Sequence, residues 1–369
     1  MINVALLKTI CETPGAPGFE QRVREIVLRE VTPLVDEVSV DNMGNVIALK
    51  KGRARKKVMI AAHMDEIGFI VNHIDEDGFL RFLPLGGFDP KTLTSQRVIV
   101  HGRKDLIGVM GCKPIHLMKP EERTKQMPLH EYYIDLGLPK AQVVRYVQAG
   151  DPVTRERGLI EMGDCVNSKS IDNRVSVFIL LEALRALKDE EVPYDIYGVF
   201  TVQEEVGLRG AISAAHLVNP DFGFGLDVTI AFDVPGAQGH EVVTRLGKGA
   251  GIKIMDGSVI SDYRMVNFLK KTATANQIPW QPELLPAGGT DTAGLQRYGK
   301  QGSIAGAISI PLRHIHQTIE MAHKGDIKAC TDLLCAALRQ LDTYDWSLGN
   351  THDDGRPPLE DAEDGMSWL

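Results

Sequence analysis

No excess of positive charge, no paired cysteines and no long apolar run occur in this sequence, and each absence excludes a class of function. Acidic residues outnumber basic ones, 49 to 41, giving a formal net charge of −8. That balance argues against a nucleic-acid-binding or anionic-membrane surface. The five cysteines (Cys11, Cys112, Cys165, Cys330, Cys335) include no C-x-x-C pair, which suits reduced thiols in a cytoplasm better than a disulfide frame or a structural zinc site. No stretch approaches the ~20 apolar residues of a membrane-spanning helix. The segment Met1 to Lys8 has neither the basic start nor the apolar length of a secretory signal. A soluble cytoplasmic protein is expected. Tryptophan is also sparse: Trp280, Trp346 and Trp368 are far apart in the chain and form no cluster suited to stacking sugars.

What is present is an ordinary globular composition, 43% apolar and 24% charged over 369 residues, enough for one large domain or two with a sizeable core. The most informative stretch begins at Tyr194. Residues 194–202 are rich in β-branched and aromatic side chains and read as a buried strand. That strand runs directly into Glu204 and Glu205, followed by Gly207. Two adjacent carboxylates at the end of a strand buried on both faces repel each other and resist desolvation. A bound divalent cation would compensate them.

Helix–strand alternation surrounds this stretch. Helical spacing is read over 5–11, 20–31, 173–187, 212–217, 263–277 and 324–341. Apolar strands are read over 58–62, 223–233 and 303–310, and a hairpin over 38–49. From about Ile67 to Met162 the character changes to short alternating strands and turns, including a hairpin across Glu76, Asp77 and Gly78. The expectation is an α/β fold: a sheet flanked by helices, with an inserted small β-barrel-like domain. Residues 1–66 and 163–345 form the main, discontinuous domain and 67–162 the insertion. An acidic, flexible tail is expected over 346–369.

One regularity carries the chemistry. Four apolar strands end, or nearly end, in metal-competent side chains: His63 with Asp65, Glu204 with Glu205, Asp227, and His314 with His316. Asp172 opens a helix beside them. Functional groups of open α/β sheets gather beyond the carboxyl ends of strands, so these residues can converge. Histidine with carboxylates and no thiolate suits zinc, cobalt or manganese. Taken singly, each motif has a plain alternative. Paired glutamates commonly form a solvated turn, Asp172 could simply cap its helix, and Asp233 rivals Asp227 on the same strand.

Taken in order, His63-x-Asp65-Glu66-x-Gly68, Asp172-Asn-Arg, Glu204-Glu205-x-Gly207, Asp227-Val and Arg313-x-x-His316 resemble the M42 family of metallo-aminopeptidases, over about residues 5–340. The resemblance implies a co-catalytic di-metal aminopeptidase with two divalent ions per subunit, zinc or cobalt. It also implies a zinc-peptidase-like mixed sheet flanked by helices, an inserted dimerisation domain, self-association into a dimer-built dodecamer, and short peptides as substrates. By position in the motifs, His63 and Asp227 would hold one ion, Glu205 and His316 the other, and Asp172 would bridge them. Asp65 would orient His63, and Glu204 would be the general base toward a metal-bridged water. Two departures stand out: Gln317-Thr318 follows His316 where the family commonly has Ser-Pro, and the glycine-rich loop reads Gly288-Gly-Thr-Asp-Thr. The alternative function is a glycoside hydrolase of endoglucanase type, which also needs paired carboxylates but gives the histidines no role.

Overall fold

The computed structural model describes residues 2–350. An eleven-stranded mixed sheet organises the larger part of it. Its four central strands are parallel and lie side by side in the order Tyr194–Thr201, Ala54–His63, Phe222–Ile230 and Ile304–Arg313. These strands are apolar on both faces because helices cover both faces. Alternate residues of the Ala54–His63 strand go opposite ways. Val58, Ile60 and Ala62 join the core beneath helices Val4–Glu12, Ile171–Leu187, Tyr263–Ala275 and Lys324–Gln340. Met59 and Ala61 face Ala211, Ala214, Ala215 and Leu295, on helices Arg209–Val218 and Thr292–Arg297. Each fully buried side chain such as Ile60 or Phe224 contributes about 1.5–3 kcal/mol of transfer free energy.

The β-rich segment closes into a six-stranded barrel. Its strands are Gly68–Ile74, Leu80–Leu85, Arg97–His101, Asp105–Gly111, Tyr133–Asp135 and Pro152–Arg155. The barrel has its own core of Phe69, Val71, Leu80, Val98, Val100, Ile134 and Val153. The expected hairpins pair as read: Glu37–Val40 with Val46–Lys50, and Gly68–Ile74 with Leu80–Leu85.

Several boundaries differ from the sequence reading. The last central strand does not stop at Ile310 but continues through Pro311 to Arg313. Proline is tolerated because, on the side away from Thr229, it falls between two antiparallel partners that pair at 307–309 and at 312–313. Strands Ala250–Met255, Trp280–Leu284 and Glu320–His323 leave no clear mark in the sequence; Pro282 and the short, charge-interrupted patterns hide them. Asp172 and Asn173 lie at the head of the Ile171–Leu187 helix but have non-helical backbone angles, joined by a cis peptide bond. The expected tail begins at 346, yet Trp346 packs on Phe222 and Phe268, with ring centroids 4.8 and 5.0 Å away. Residues 351–369 of that tail lie outside the described residues.

Candidate active site

The strand order explains how residues distant in sequence meet. His63 is the last residue of its strand and pairs with Thr201 of the neighbouring one, which puts Glu204 and Glu205 just beyond it. On the other side Gly225 pairs with Ala61. Carried two residues further, that register sets Asp227 level with His63. His316 follows the fourth strand by three residues. Asp172 enters from the head of its helix. It is no cap: its own amide donates to Glu320 Oε2 at 2.9 Å, and its carboxylate faces two histidines.

Two clusters result. His63, Asp172 and Asp227 form one, and Asp172, Glu205 and His316 form the other; within each, one ligand atom per residue lies within 4.8 Å of the rest. His63 Nε2 is 3.4 Å from Asp172 Oδ1, and His316 Nε2 is 3.3 Å from Asp172 Oδ2. The two oxygens of one carboxylate therefore face the two clusters. Glu205 Oε2 is 3.5 Å from His316, Asp227 Oδ1 3.8 Å from His63, and Glu204 Oε2 also 3.8 Å from His63. Of the two candidate histidines, His316 joins a cluster, while His314 is exposed and belongs to neither. Asp233 is also outside, held in a two-point ion pair with Arg313 at 2.6 and 2.7 Å.

The surroundings orient these groups. The Asp65 carboxylate accepts the backbone amides of Glu204 and Glu205 at 3.0 and 3.1 Å. It lies 3.4 Å from His63 Nδ1, but the nearer partner of that nitrogen is the Asp65 carbonyl, at 3.1 Å. Asp65 thus fixes the tight turn of both glutamates and the face of the histidine together. Gln203, before the glutamates, and His316 both have left-handed backbone angles, φ 55° and 61°; such sparsely populated conformations persist where surrounding contacts impose them. From the barrel, Arg155 donates to the His316 carbonyl at 2.9 Å, and Thr318 donates to Gln96 at 3.1 Å. The Gln317-Thr318 departure is therefore built into the junction between barrel and sheet.

Negative charge is in surplus here. Burial pushes Glu204 and Asp227 well above the usual carboxylate range, with neighbouring carboxylates adding to it and His63 opposing. Burial, then Asp172, lifts Glu205 to about 8. Burial would lower His316, but the Asp172 hydrogen bond and the Glu205 charge raise it to about 9. Asp172 is held low despite its burial, by hydrogen bonds from His316 and His63. Glu205 Oε1 is buried with no hydrogen-bond partner. Uncompensated carboxylates, an orphaned oxygen and a donor set of imidazole and carboxylate are what a pair of divalent cations would satisfy. The residues fit such a group.

The sequence assigns no role to several further residues of the site, although Glu66, Arg174 and Asp291 lie within its motifs. Glu320 is buried behind Asp172 and pushed up to about 8, first by that burial. Asp291 accepts from the Thr201 hydroxyl at 2.5 Å. The buried group of Glu66, Lys169, Ser170 and Arg174 locks the segment leading to Asp172: Lys169 Nζ lies 2.7 Å from both Glu66 oxygens, and the Ser170 hydroxyl donates to the same carboxylate. The Thr290–Thr292 loop reaches the sheet because Gly225 has no side chain; a Cβ there would lie 1.9 Å from the Thr292 hydroxyl.

Fold and relatives together define an aminopeptidase. The profile of the M42 glutamyl aminopeptidase family matches residues 44–333, and the chain belongs to that family. It is 34% identical to the lysyl aminopeptidase of Pyrococcus furiosus over 94% of this chain and all of that one. It superposes on a TET aminopeptidase from the marine sediment archaeon Thaumarchaeota archaeon SCGC AB-539-E09 with a TM-score of 0.89. That pair is 37% identical, over 92% of this chain and 96% of the other. It also resembles the TET1 peptidase of Pyrococcus horikoshii, described as assembling into a tetrahedron or a large octahedral shell. There the TM-score is 0.82 and the identity 31%, over 91% and 98% of the two chains.

Proposed function

We propose that this chain removes N-terminal residues from short peptides as a metal-dependent, co-catalytic aminopeptidase. The observation that carries the reading is Asp172, whose two carboxylate oxygens face separate histidine–carboxylate clusters. His63 and Asp227 would hold one ion, Glu205 and His316 the other, with Asp172 shared between them. Zinc and cobalt suit that donor set. Ions bound there would supply Lewis acidity, making a water acidic enough to attack and stabilising the charge that develops on the scissile carbonyl.

The chain's own residues do the rest. Glu204 belongs to neither ligand cluster, yet its carboxylate stands beside His63 at the same cavity. It takes the proton of the attacking water and returns it to the departing amine. Asp65 holds the amides of Glu204 and Glu205, so base and ligand keep fixed positions relative to each other. Burial of Glu204 keeps bulk water from competing for the proton.

A glycosidase reading is weaker, because it leaves His63 and His316 without a function. Self-association of the kind described for the Pyrococcus horikoshii relative is proposed for this chain too, built from dimers into a dodecamer. Five free thiols fit a reducing cytoplasm, and no helix among the described residues is long and apolar enough to cross a membrane. The direct test is hydrolysis of aminoacyl-p-nitroanilides before and after dialysis against a chelator, with zinc or cobalt restored. Activity that disappears and returns supports the reading. Activity indifferent to complete metal removal refutes it.

A further inference from the structure

The cavity that holds both clusters, about 500 Å³, continues past them along a lining that includes Leu208, Val228, Ile230, Leu285 and Ala287. Two charged residues share that lining, Lys253 and Asp256. Among the described lining residues Lys253 is the only lysine or arginine, so it alone could greet an acidic substrate side chain. It is already engaged. Lys253 is fully buried on strand Ala250–Met255, with Nζ 2.6 Å from Glu283 Oε1 and 3.2 Å from Asp256 Oδ2. Two carboxylates therefore face one ammonium.

Asp256 is saturated in turn. Its Oδ1 accepts the Ser258 amide and hydroxyl and the Val259 amide at 2.7, 2.8 and 2.9 Å. Its Oδ2 takes the Thr290 hydroxyl at 3.1 Å besides Lys253. Glu283 is fully buried and does not line the cavity. A glutamyl side chain would meet a cation with two carboxylates already on it. A lysyl side chain would meet an ammonium of its own sign and a carboxylate with no free lone pair. Neither could recover its hydration, and a charge buried without a partner is costly. Besides the unpartnered, uncharged Thr229 hydroxyl, what remains on offer is apolar surface.

We propose that this cavity receives the side chain of the substrate's N-terminal residue and selects a large uncharged apolar one, leucine-like, with the Lys253–Glu283–Asp256 cluster acting as a specificity determinant that excludes charge. The proposal rests on the aminopeptidase reading and departs from both the glutamyl preference in the family's description and the lysyl preference of the Pyrococcus furiosus relative.

The test is kcat/KM of the metal-loaded protein on leucyl-, glutamyl- and lysyl-p-nitroanilide. Leucyl is expected to lead both others by about tenfold or more, as for pockets that must leave a polar group unpaired to accept the wrong substrate. Glu283→Gln, nearly isosteric, removes one carboxylate from Lys253 and should raise the glutamyl-to-leucyl ratio. Lys253→Met removes the cation and should raise the lysyl-to-leucyl ratio. Hydrolysis led by the glutamyl or lysyl substrate overturns the pocket assignment and leaves the aminopeptidase reading standing. Hydrolysis of none of the three, with metal confirmed bound, overturns both. If Lys253→Met does not fold, the wild-type ranking and Glu283→Gln still decide.

Discussion

Asp65→Asn is the sharpest perturbation of the proposed site, because it changes one atom of a residue that is not itself a proposed ligand but holds His63 and the turn of Glu204 and Glu205. The two Asp65 oxygens accept the amides of Glu204 and Glu205 at 3.0 and 3.1 Å. An asparagine offers one carbonyl and one NH2, so one of those buried amides must face another donor. Loss of a charge-assisted acceptor for a buried donor costs about 1–3 kcal/mol. The turn carrying both glutamates would rotate to relieve it, and His63 would lose the carboxylate 3.4 Å from Nδ1. Outer partners of metal ligands are typically worth 10–100-fold in affinity or activity, about 1.4–2.8 kcal/mol at 1.4 kcal/mol per tenfold, which agrees with the hydrogen-bond figure. Metal affinity by competition with a chromophoric chelator, and kcat/KM at saturating metal, should each fall by that order. The fold, read by circular dichroism, should be kept. Wild-type metal affinity together with wild-type kcat/KM in Asp65→Asn would refute the reasoning.

Other outcomes follow from the same geometry. Glu204→Gln should abolish peptide hydrolysis while metal content stays at the wild-type level; turnover within a few-fold of wild type removes Glu204 as the base. Arg155→Ala frees the His316 carbonyl and should weaken metal binding from the barrel side, by about tenfold; equilibrium dialysis reads the difference. Trp346→Ala opens a gap against Phe222 and Phe268 and should cost about 2–4 kcal/mol in urea unfolding, with activity per folded molecule unchanged. For the metal-free protein the pH dependence has a definite sign. Glu205 rises on folding from the usual 4.5 to about 8, and His316 from 6.5 to about 9. Groups raised on folding stabilise at low pH and lose that contribution as pH rises through the folded value. Stability of the chelated protein should therefore fall between about pH 5 and 9. Metal binding must displace the same protons, so metal affinity should rise over that range, and urea midpoints with and without metal should diverge as pH increases.

Local patterns determined much of this protein. Runs such as Val58–Ala62 and Tyr194–Thr201 read as buried strands, and the helical spacing after Asp172 reads as a helix with a broad apolar face to bury. The five ordered motifs named the family and, with it, the residues that the sheet gathers at its carboxyl edge. Tertiary structure decided everything that depends on which strands are neighbours. Nothing local reveals that the Tyr194–Thr201 and Phe222–Ile230 strands flank His63, yet that order makes Asp172 the carboxylate shared by two clusters. Of His314 and His316, two residues apart in the sequence, the packed chain brings His316 into a cluster and leaves His314 exposed, while Arg155 of the barrel holds the His316 carbonyl. Lys253 and Glu283 lie on strands too short, or too interrupted by charge and proline, to be read from periodicity, and Asp256 lies just beyond the first of them. Their meaning comes from desolvation: a lysine in the sequence is a cation, but one enclosed with two carboxylates in a dry interior has no charge left to offer a substrate. Burial and pairing are properties of the packed chain, and only folding assigns them.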